Sequence, residues 1–365
     1  MCLLPNAGSF GMAVSTAMIF GLVSLMFLDT SINMAMQPFK MMVGDMVNEK
    51  QKGLAYSIQS FLCNAGSLVG FLFPFIFTWI GISNIAPQGV VPDSVIYSFY
   101  IGAAILILCV IYTTVKVKEM PPAEYAEYHG ITEEEKKEKI NMVKLLVKAP
   151  KAFWTVGLVQ FFCWFAFMFM WTYTNGSVAA NVFDAPTVET VVNGANKVVL
   201  DTKSIQYQNA ADWVGVLFAV QAIGSVLWAV CIPMFKNRKL IYSLSLVLGG
   251  IGFISTYFVH NQYVLFISFL LIGCAWAAML ALPFTILTNA LSGGHMGTYL
   301  GLFNGTICIP QIVAATLGGS ILALFTPKGM LPPEINMLVM AGVMLIIGAV
   351  CVYLIKETKG EQAKA

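Results

Sequence analysis

Long segments without a charged residue constrain this chain more than any other feature of its sequence. Asp, Glu, Lys and Arg are absent from residues 1–28 and from several later segments, the longest of which extends from Leu240 to Pro327. A helix that crosses the hydrocarbon core of a bilayer needs about 20 apolar residues. Only 10% of the residues are charged, whereas roughly 25% is typical of soluble domains. The sequence therefore predicts an all-α polytopic membrane protein and excludes the soluble globular and disordered classes.

The charge-free segments, divided where polar residues interrupt them, predict about nine transmembrane helices. Within the longest segment the interruptions are at residues 260–262 and 292–295. The predicted helices cover residues 10–36, 54–80, 94–116, 152–174, 211–235, 239–259, 262–290, 296–325 and 334–356.

The basic residues predict the orientation of the chain in the membrane. If the loop after the first helix is cytoplasmic, seventeen of the twenty Lys and Arg residues lie on the cytoplasmic side, and only Lys197, Lys203 and Lys328 lie outside. Cytoplasmic loops carry an excess of Lys and Arg. We therefore expect an outer N-terminus and a cytoplasmic C-terminus in a cell inner (plasma) membrane. The predominance of Lys, with Arg238 as the single Arg, points to an AT-rich bacterial genome.

A charged connector divides the predicted helices into a group of three and a group of six. It covers residues 118–151 and contains a pair of prolines, an acidic run and many lysines. Thr132 and Glu135 fit the N-cap and capping box of a helix, so we expect a solvated surface helix there. The predicted domains are an incomplete N-terminal half at 1–117, the connector, and a six-helix C-terminal half at 152–365.

An internal repeat relates the two halves. A Pro-Phe pair at 38–39 precedes Gly53 by fifteen residues, and a second pair at 283–284 precedes Gly297 by fourteen. Transporters are often built from such repeats. The second half has three helices before its Pro-Phe helix and the first half has none. We therefore expect a twelve-helix transporter that lacks its first three helices, with an internal start, a truncated gene model and a designed fragment all open as explanations.

Asp29 is the only acidic residue that lies deep within a predicted span. An ionised carboxylate in hydrocarbon is costly, so such residues usually face a cavity and have a function. A carboxyl group that is removed from water binds a proton more readily, which suits proton coupling. The alternative is a structural acid that pairs with Lys40 or is capped by Thr30 and Ser31.

Asp29 begins a polar stripe along the first helix. Asn33, Gln37 and Lys40 follow it at i+4, i+8 and i+11, which places all four on one face. Because a polar face is expensive in lipid, we expect this one to face protein or water. Lys40 lies about 16 Å from Asp29 along the helix axis, so its ammonium either reaches a cavity or extends to the cytoplasmic interface.

Six further amides lie within predicted spans. An amide offers both donors and an acceptor to a sugar hydroxyl, whereas hydrogen bonding between helices is the alternative for each of them. Trp164 follows one of these amides by one turn in an aromatic-rich helix, and it either stacks on a sugar ring or packs in the bundle. With the stripe residues Asn33, Gln37 and Lys40, the predicted substrate-binding residues are Gln59, Asn64, Gln160, Trp164, Gln221, Asn304 and Gln311.

The sequence gives little support to soluble chemistry. The eight cysteines form no CxxC pair, the three histidines have no metal-ligand spacing, and there is no phosphate-binding glycine motif. We therefore predict no cofactor, no metal site and no enzymatic activity. The net charge of +2 is small and dispersed, which argues against nucleic acid as a partner.

Residues 28–40, followed by Gly44 and Asp45, resemble the fourth helix of sucrose- and maltose-type sugar:proton symporters. These belong to the major facilitator superfamily, near its glycoside–pentoside–hexuronide branch. Residues 53–70 resemble their fifth helix, and residues 301–304 with 309–311 resemble their eleventh.

The resemblance implies a secondary active transporter that takes up a disaccharide or related glycoside with protons by alternating access. It implies proton coupling at Asp29 and sugar contact at Lys40. The family usually has arginine at this last position, and lysine lacks the paired donors of the guanidinium. The expected partners are a sugar, a proton or sodium ion, and the lipid bilayer. The alternatives are sodium coupling, and a non-transporting sugar sensor or inactive fragment.

Overall fold

The computed structural model describes residues 14–47, 51–82, 91, 93–118, 121, 124, 142–192, 195–290, 296–327 and 329–355. Its helices are α1 Val14–Met46, α2 Lys52–Trp79, α3 Asp93–Lys116, the short α4 Met142–Val147, α5 Lys151–Asn181, α6 Ile205–Cys231, α7 Arg238–Ser255, α8 Leu265–Ala290, α9 Met296–Phe303, α10 Gly305–Phe325 and α11 Ile335–Cys351.

Among the described residues, eight helical segments are long and apolar enough to cross a membrane. They correspond to α1, α3, α5, α6, α7, α8, the combined α9–α10 and α11. The helix α2 occupies the remaining predicted segment at 54–80, although it is not among these eight. The predicted all-α polytopic membrane fold is confirmed, and the number of spans is close to the predicted nine.

Several helix boundaries differ from the prediction: α5 continues to Asn181 beyond its predicted end at residue 174, and α6 begins at Ile205 before its predicted start at residue 211. The helix α1 continues through Pro38 to Met46, beyond the predicted end at residue 36. The predicted helix 296–325 is divided at Asn304, whose backbone N–H is shared between the C=O groups of Leu300 and Gly301, each at 3.2 Å. The interruption at 260–262 lies between α7 and α8 as predicted, whereas residues 292–295 lie outside the described ranges, as do Thr132 and Glu135.

A β-hairpin between α5 and α6 was not predicted. Strands β1 Thr187–Val192 and β2 Ala195–Leu200 pair antiparallel, with Thr187 opposite Leu200 and Val192 opposite Ala195. The signal was present in the sequence, since an Asn-Gly pair separates two valine-rich runs and Asn-Gly is a preferred two-residue hairpin turn. The end of the helical bundle from which this hairpin extends is called the hairpin end below.

The described residues group into two compact units. Those within 1–46 and 66–137 form the first unit, and those within 47–65 and 138–365 form the second. The division at residue 137 lies inside the predicted connector, and the beginning of α2 belongs to the second unit.

The helix α5 is the centre of the second unit. It contacts α6, α8, α10 and α11, and Phe153, Phe167 and Phe169 along its length are almost fully buried. The helix α8 contacts α5, α6 and α7. These two apolar helices therefore make most of the helix contacts near the polar residues described below.

In the first unit, α1 presents apolar side chains outward. Leu22, Met26, Phe27 and Met34 are all exposed, and none of the apolar window Ile19–Met36 is buried within the protein. Such a surface suits contact with hydrocarbon.

The helices α6 and α8 approach each other closely at two glycines. A Cβ added to Gly224 would lie 2.5 Å from the carbonyl oxygen and 2.9 Å from the Cα of Leu270, and one added to Gly273 would overlap the backbone of Gln221. Small residues at such crossings allow helix backbones to pack directly in membranes.

We expect Gly224→Ala to destabilise the protein by about 1–3 kcal/mol, because the new methyl group meets backbone atoms that cannot rotate away. Gly215→Ala is the matched control on the same helix, since a Cβ there has no atom within 4 Å. Thermal unfolding in detergent measures both variants. Equal melting temperatures for the two variants would contradict the close contact between α6 and α8.

Candidate functional site

The proline in α8 leaves one backbone carbonyl without its helical partner. Pro283 lies inside the helix, and since proline has no N–H, the C=O of Met279 four residues earlier receives no bond from it. The amide of Gln160 on α5, which is fully buried, supplies the missing bond, because its Nε2 donates to this carbonyl at 3.0 Å. The backbone partner fixes the orientation of the amide. Its Oε1 has no hydrogen-bond partner among the described residues.

A second amide is arranged in the same way on α2. Asn64 is fully buried, and its Nδ2 donates to the C=O of Ser60 at 2.7 Å, while its Oδ1 has no partner in the described part of the chain. The hydroxyl of Ser60 donates to the C=O of Ala277 on α8 at 3.5 Å. One turn earlier, the ring of Tyr56 stacks on Phe284 with centroids 6.3 Å apart. This face of α2 therefore lies along the part of α8 that Gln160 also contacts.

Trp164 lies one turn after Gln160 on α5 and packs against the same helix. Its ring centroid is 5.7 Å from that of Trp276 on α8, at an interplanar angle of 77°, and 6.4 Å from that of Trp171. The indole Nε1 is buried, and no described residue accepts its hydrogen bond. Trp276 was not predicted, because a single tryptophan in an apolar run gives no signal of its own.

Asn304 occupies the break between α9 and α10. The preceding Phe303 packs edge-to-face on Phe284 of α8 at 6.0 Å and on Phe153 of α5 at 5.6 Å, which places the break beside both helices. The Nδ2 of Asn304 lies 3.9 Å from the Sγ of Cys308, a long contact with a weak acceptor. Its Oδ1 is buried and has no partner among the described residues.

Asn64, Gln160, Trp164 and Asn304 thus present three unused acceptors and one unused donor around α8 and α5. They contribute four of the seven buried side-chain atoms that have no hydrogen-bond partner in the described part of the chain. A buried polar group without a partner costs about 1–3 kcal/mol, and such groups are few in native structures. Atoms of this kind suit a ligand with hydroxyl groups, since a hydroxyl donates to an amide oxygen and accepts from an indole N–H.

Three other predicted residues make no hydrogen bond to these four in the described part of the chain. Gln221 is buried on α6, where its backbone carbonyl meets Gly273. Gln59 on α2 and Gln311 on α10 are half-buried.

The polar stripe belongs to the first unit. Asp29 is exposed on α1, and Asn33 donates to its backbone C=O at 2.9 Å. The hydroxyl of Ser31 donates to the C=O of Phe27 at 2.7 Å and so does not cap the carboxylate. The side chains of Gln37 and Lys40 lie outside the described part. The ion pair between Lys40 and Asp29 that the sequence offered as an alternative therefore also lies outside it.

One acidic residue was missed by the sequence reasoning. Glu334 precedes α11 directly, and its carboxyl group lies against Gly176 of α5. It stands one residue before a charge-free segment, as the first residue of the predicted helix 334–356, and the sequence analysis gave it no function. Its position at the edge of an apolar run was the available signal.

Comparison of the sequence with known protein families gives one match. The sequence profile of the Major Facilitator Superfamily matches residues 2–195 and residues 179–365. The chain belongs to the Major Facilitator Superfamily. This member of the superfamily is a multi-pass membrane transporter and not an enzyme.

Two solved structures of a transporter in this superfamily are similar to this one in fold. A crystal structure of a variant of the E. coli fucose:proton symporter FucP is 14% identical in sequence, with a TM-score of 0.60, and the match covers 98% of this chain and 82% of that chain. A crystal structure of FucP in the outward conformation is 13% identical, with a TM-score of 0.64, and the match covers 98% and 80%. A search of curated proteins finds no match.

The bond between Gln160 and Met279 predicts an energetic coupling with Pro283. Gln160→Met removes the donor and leaves a buried carbonyl unsatisfied, which costs about 1–3 kcal/mol. In a Pro283→Ala background the alanine N–H restores the helical bond, so the same substitution should cost about 1 kcal/mol less. Unfolding of the two single variants and the double variant in detergent measures this difference. Strictly additive effects would show that the amide does not serve this carbonyl.

Proposed function

We propose that this transporter takes up a sugar, a disaccharide or related glycoside, together with a proton. The observation that supports this most directly is the pair of buried amides, Gln160 and Asn64. Their donors are committed to backbone carbonyls, and their acceptors are unused. Similarity in fold to a fucose:proton symporter is in keeping with a sugar as the substrate and a proton as the coupling ion.

The proposed substrate binds in the second unit, and the unused polar atoms of this unit support that position. Hydroxyl groups of the sugar donate to the amide oxygens of Asn64, Gln160 and Asn304, and a sugar oxygen accepts from the indole N–H of Trp164. Each of these groups replaces part of the hydration that the sugar loses on binding. The further contacts that we propose, predicted from the sequence, are Asn33, Gln37, Lys40, Gln59, Gln221 and Gln311.

Asp29 is the proposed proton carrier. Its carboxyl group lies on an apolar helix whose exposed side chains suit lipid. An ionised carboxylate within the hydrocarbon of a bilayer costs several kcal/mol. In the proposed cycle, protonated Asp29 favours the sugar-loaded state, in which the transporter changes from opening outward to opening inward. Loss of the proton to the cytoplasm then favours release of the sugar.

The proposal retains the orientation and organisation that the sequence predicts. The C-terminus is cytoplasmic in an inner membrane of a bacterium, and the connector 118–151 separates three helices from six. Among the family's branches, the sucrose- and maltose-type symporters are the proposed relatives. Sodium coupling and a sensor that binds sugar without transporting it are the competing outcomes of the experiments below.

Cells that express the chain should make the external medium more alkaline when the correct sugar is added, because each sugar brings a proton inward. Fucose, maltose, sucrose and a glucuronide are tested in turn. Asp29→Asn should abolish this pH change and concentrative uptake, whereas Asp93→Asn, at an exposed acid in the first turn of α3, should keep both. Concentrative, pH-driven uptake by Asp29→Asn would disprove proton coupling at this residue, and uptake that requires sodium without a pH change would establish the competing ion.

Trp164→Phe should weaken sugar binding by about 2- to 10-fold, the effect of losing one neutral hydrogen bond, because it removes the indole N–H and keeps an aromatic ring. Trp171→Phe is the matched control, since this neighbouring ring on α5 is exposed. Equilibrium binding of the transported sugar to the purified chain measures both. Equal affinities in the two variants would exclude the Trp164 N–H as a sugar contact. Sugar binding by the purified chain without sugar uptake by the cells would identify a sensor.

A further inference from the structure

Glu334 lies at the hairpin end of the second unit, where the loop after α10 enters α11. Its backbone N–H donates to the C=O of Pro332 at 2.9 Å, and its own C=O accepts from the N–H of Met337 at 3.0 Å. A residue at this position often caps its helix with its side chain, but this carboxyl group makes no such bond. The side chain is directed instead toward α5.

The carboxyl group of Glu334 packs directly on Gly176 of α5. A Cβ added at Gly176 would overlap the Oε2 and Cδ of the carboxyl group and would lie 2.8 Å from its Oε1. Gly176 itself is buried. One turn earlier on α5, the phenol of Tyr173 interacts electrostatically with Glu334, and the same phenol closes over Gly318 of α10. The acid therefore lies where α5, α10 and α11 converge.

The helices that surround this acid offer it no cation. The helices α10 and α11 contain no Asp, Glu, Lys, Arg or His, and the only charged residue of α5 is Lys151 at its opposite end. Tyr173 is the titratable group that faces Glu334 from α5. In the described part of the chain no ion pair forms with Glu334, and Lys328 in the preceding loop lies outside that part.

The surroundings favour the neutral acid. Glu334 precedes the membrane-spanning segment Ile335–Leu354, and its removal from water raises the pKa of Glu334 from 4.5 to about 7. An ionised carboxylate requires hydration or a cation, and the contact with Gly176 provides neither. The protonated form can remain packed, whereas the ionised form is driven toward water.

We propose that Glu334 is a proton-binding site that holds α11 against α5 at the hairpin end when it is protonated and releases this contact when it is ionised. Because the folded state binds this proton more tightly than the unfolded chain, stability falls as the pH rises from about 4.5 to about 7 and is level above that range. In the proposed orientation this end faces the outside. The site would therefore make the outer contact between α5 and α11 respond to external pH, separately from the proton carried by Asp29.

Infrared titration of the purified full chain measures the site without any sugar. Glu334→Gln should remove one carbonyl band of a protonated carboxylic acid. In the wild-type chain this band should disappear as the pH rises, with a midpoint near pH 7. Glu189→Gln, at an exposed glutamate on β1, is the matched control and should leave this band intact. A midpoint near the ordinary value of 4.5, or a band unaffected by Glu334→Gln, would overturn the proposal.

Thermal unfolding tests the structural consequence. The melting temperature of the wild-type chain should fall between pH 4.5 and 7, and Glu334→Gln should remove this fall. Histidine also changes charge near neutral pH, and the exposed His260 bonds the C=O of Asn181 at the same end, so the comparison is repeated in a His260→Gln background. A fall that persists in Glu334→Gln but disappears in His260→Gln would assign the effect to the histidine and refute the switch.

Gly176→Ala provides a second variant if Glu334→Gln does not fold. The added methyl group displaces the carboxyl group toward water, so the infrared midpoint should move from about 7 toward 4.5. An unchanged midpoint would show that the contact with Gly176 does not control the acid. Because neither measurement involves transport, their failure would leave the proposed sugar uptake untouched, and failure of uptake would leave this site untouched.

Discussion

The hydrogen bond from Gln160 to the carbonyl of Met279 is the interaction on which the candidate site depends. In hydrocarbon every backbone polar group must find a partner within the protein, and Pro283 deprives one carbonyl of α8 of its own. The buried amide on α5 meets this need from a different helix. Because its N–H group is committed there, its oxygen is left free. The bond that satisfies this carbonyl therefore leaves the amide oxygen without a partner among the described residues, and this oxygen is the atom that we propose for a substrate.

The structure shows what two of the intramembrane amides bond. From the sequence, Gln160 and Asn64 had two competing interpretations, hydrogen bonding between helices and hydrogen bonding to a substrate. In the structure the NH₂ group of Gln160 bonds a carbonyl of another helix, the NH₂ group of Asn64 bonds a carbonyl of its own helix, and neither oxygen has a partner among the described residues. A leucine in either place would remove both the bond to the carbonyl and the oxygen that we propose for a substrate.

The two acidic residues of interest differ in what surrounds them. Asp29 is exposed on α1, in the first unit, among side chains that suit lipid, so its role depends on what the membrane and the transport cycle place beside it. Glu334 lies in the second unit against the backbone of α5, and its surroundings already favour the neutral form. The two proposals therefore concern separate protons, one at Asp29 for coupling and one at Glu334 for the contact between α5 and α11.

The sequence by itself determined the fold class and the approximate spans, because the length and charge of an apolar segment are local properties. It also placed Asn64, Gln160, Trp164 and Asn304 among the candidates before any geometry was known. The division of the helix at Asn304, the contact of Glu334 with Gly176 and the atom of each amide that has no partner were decided only by the tertiary structure. These features depend on partners that are distant in the sequence. Gln160 and Met279, for example, are 119 positions apart. No local pattern shows which side chain will bond a carbonyl that has lost its helical partner to a proline.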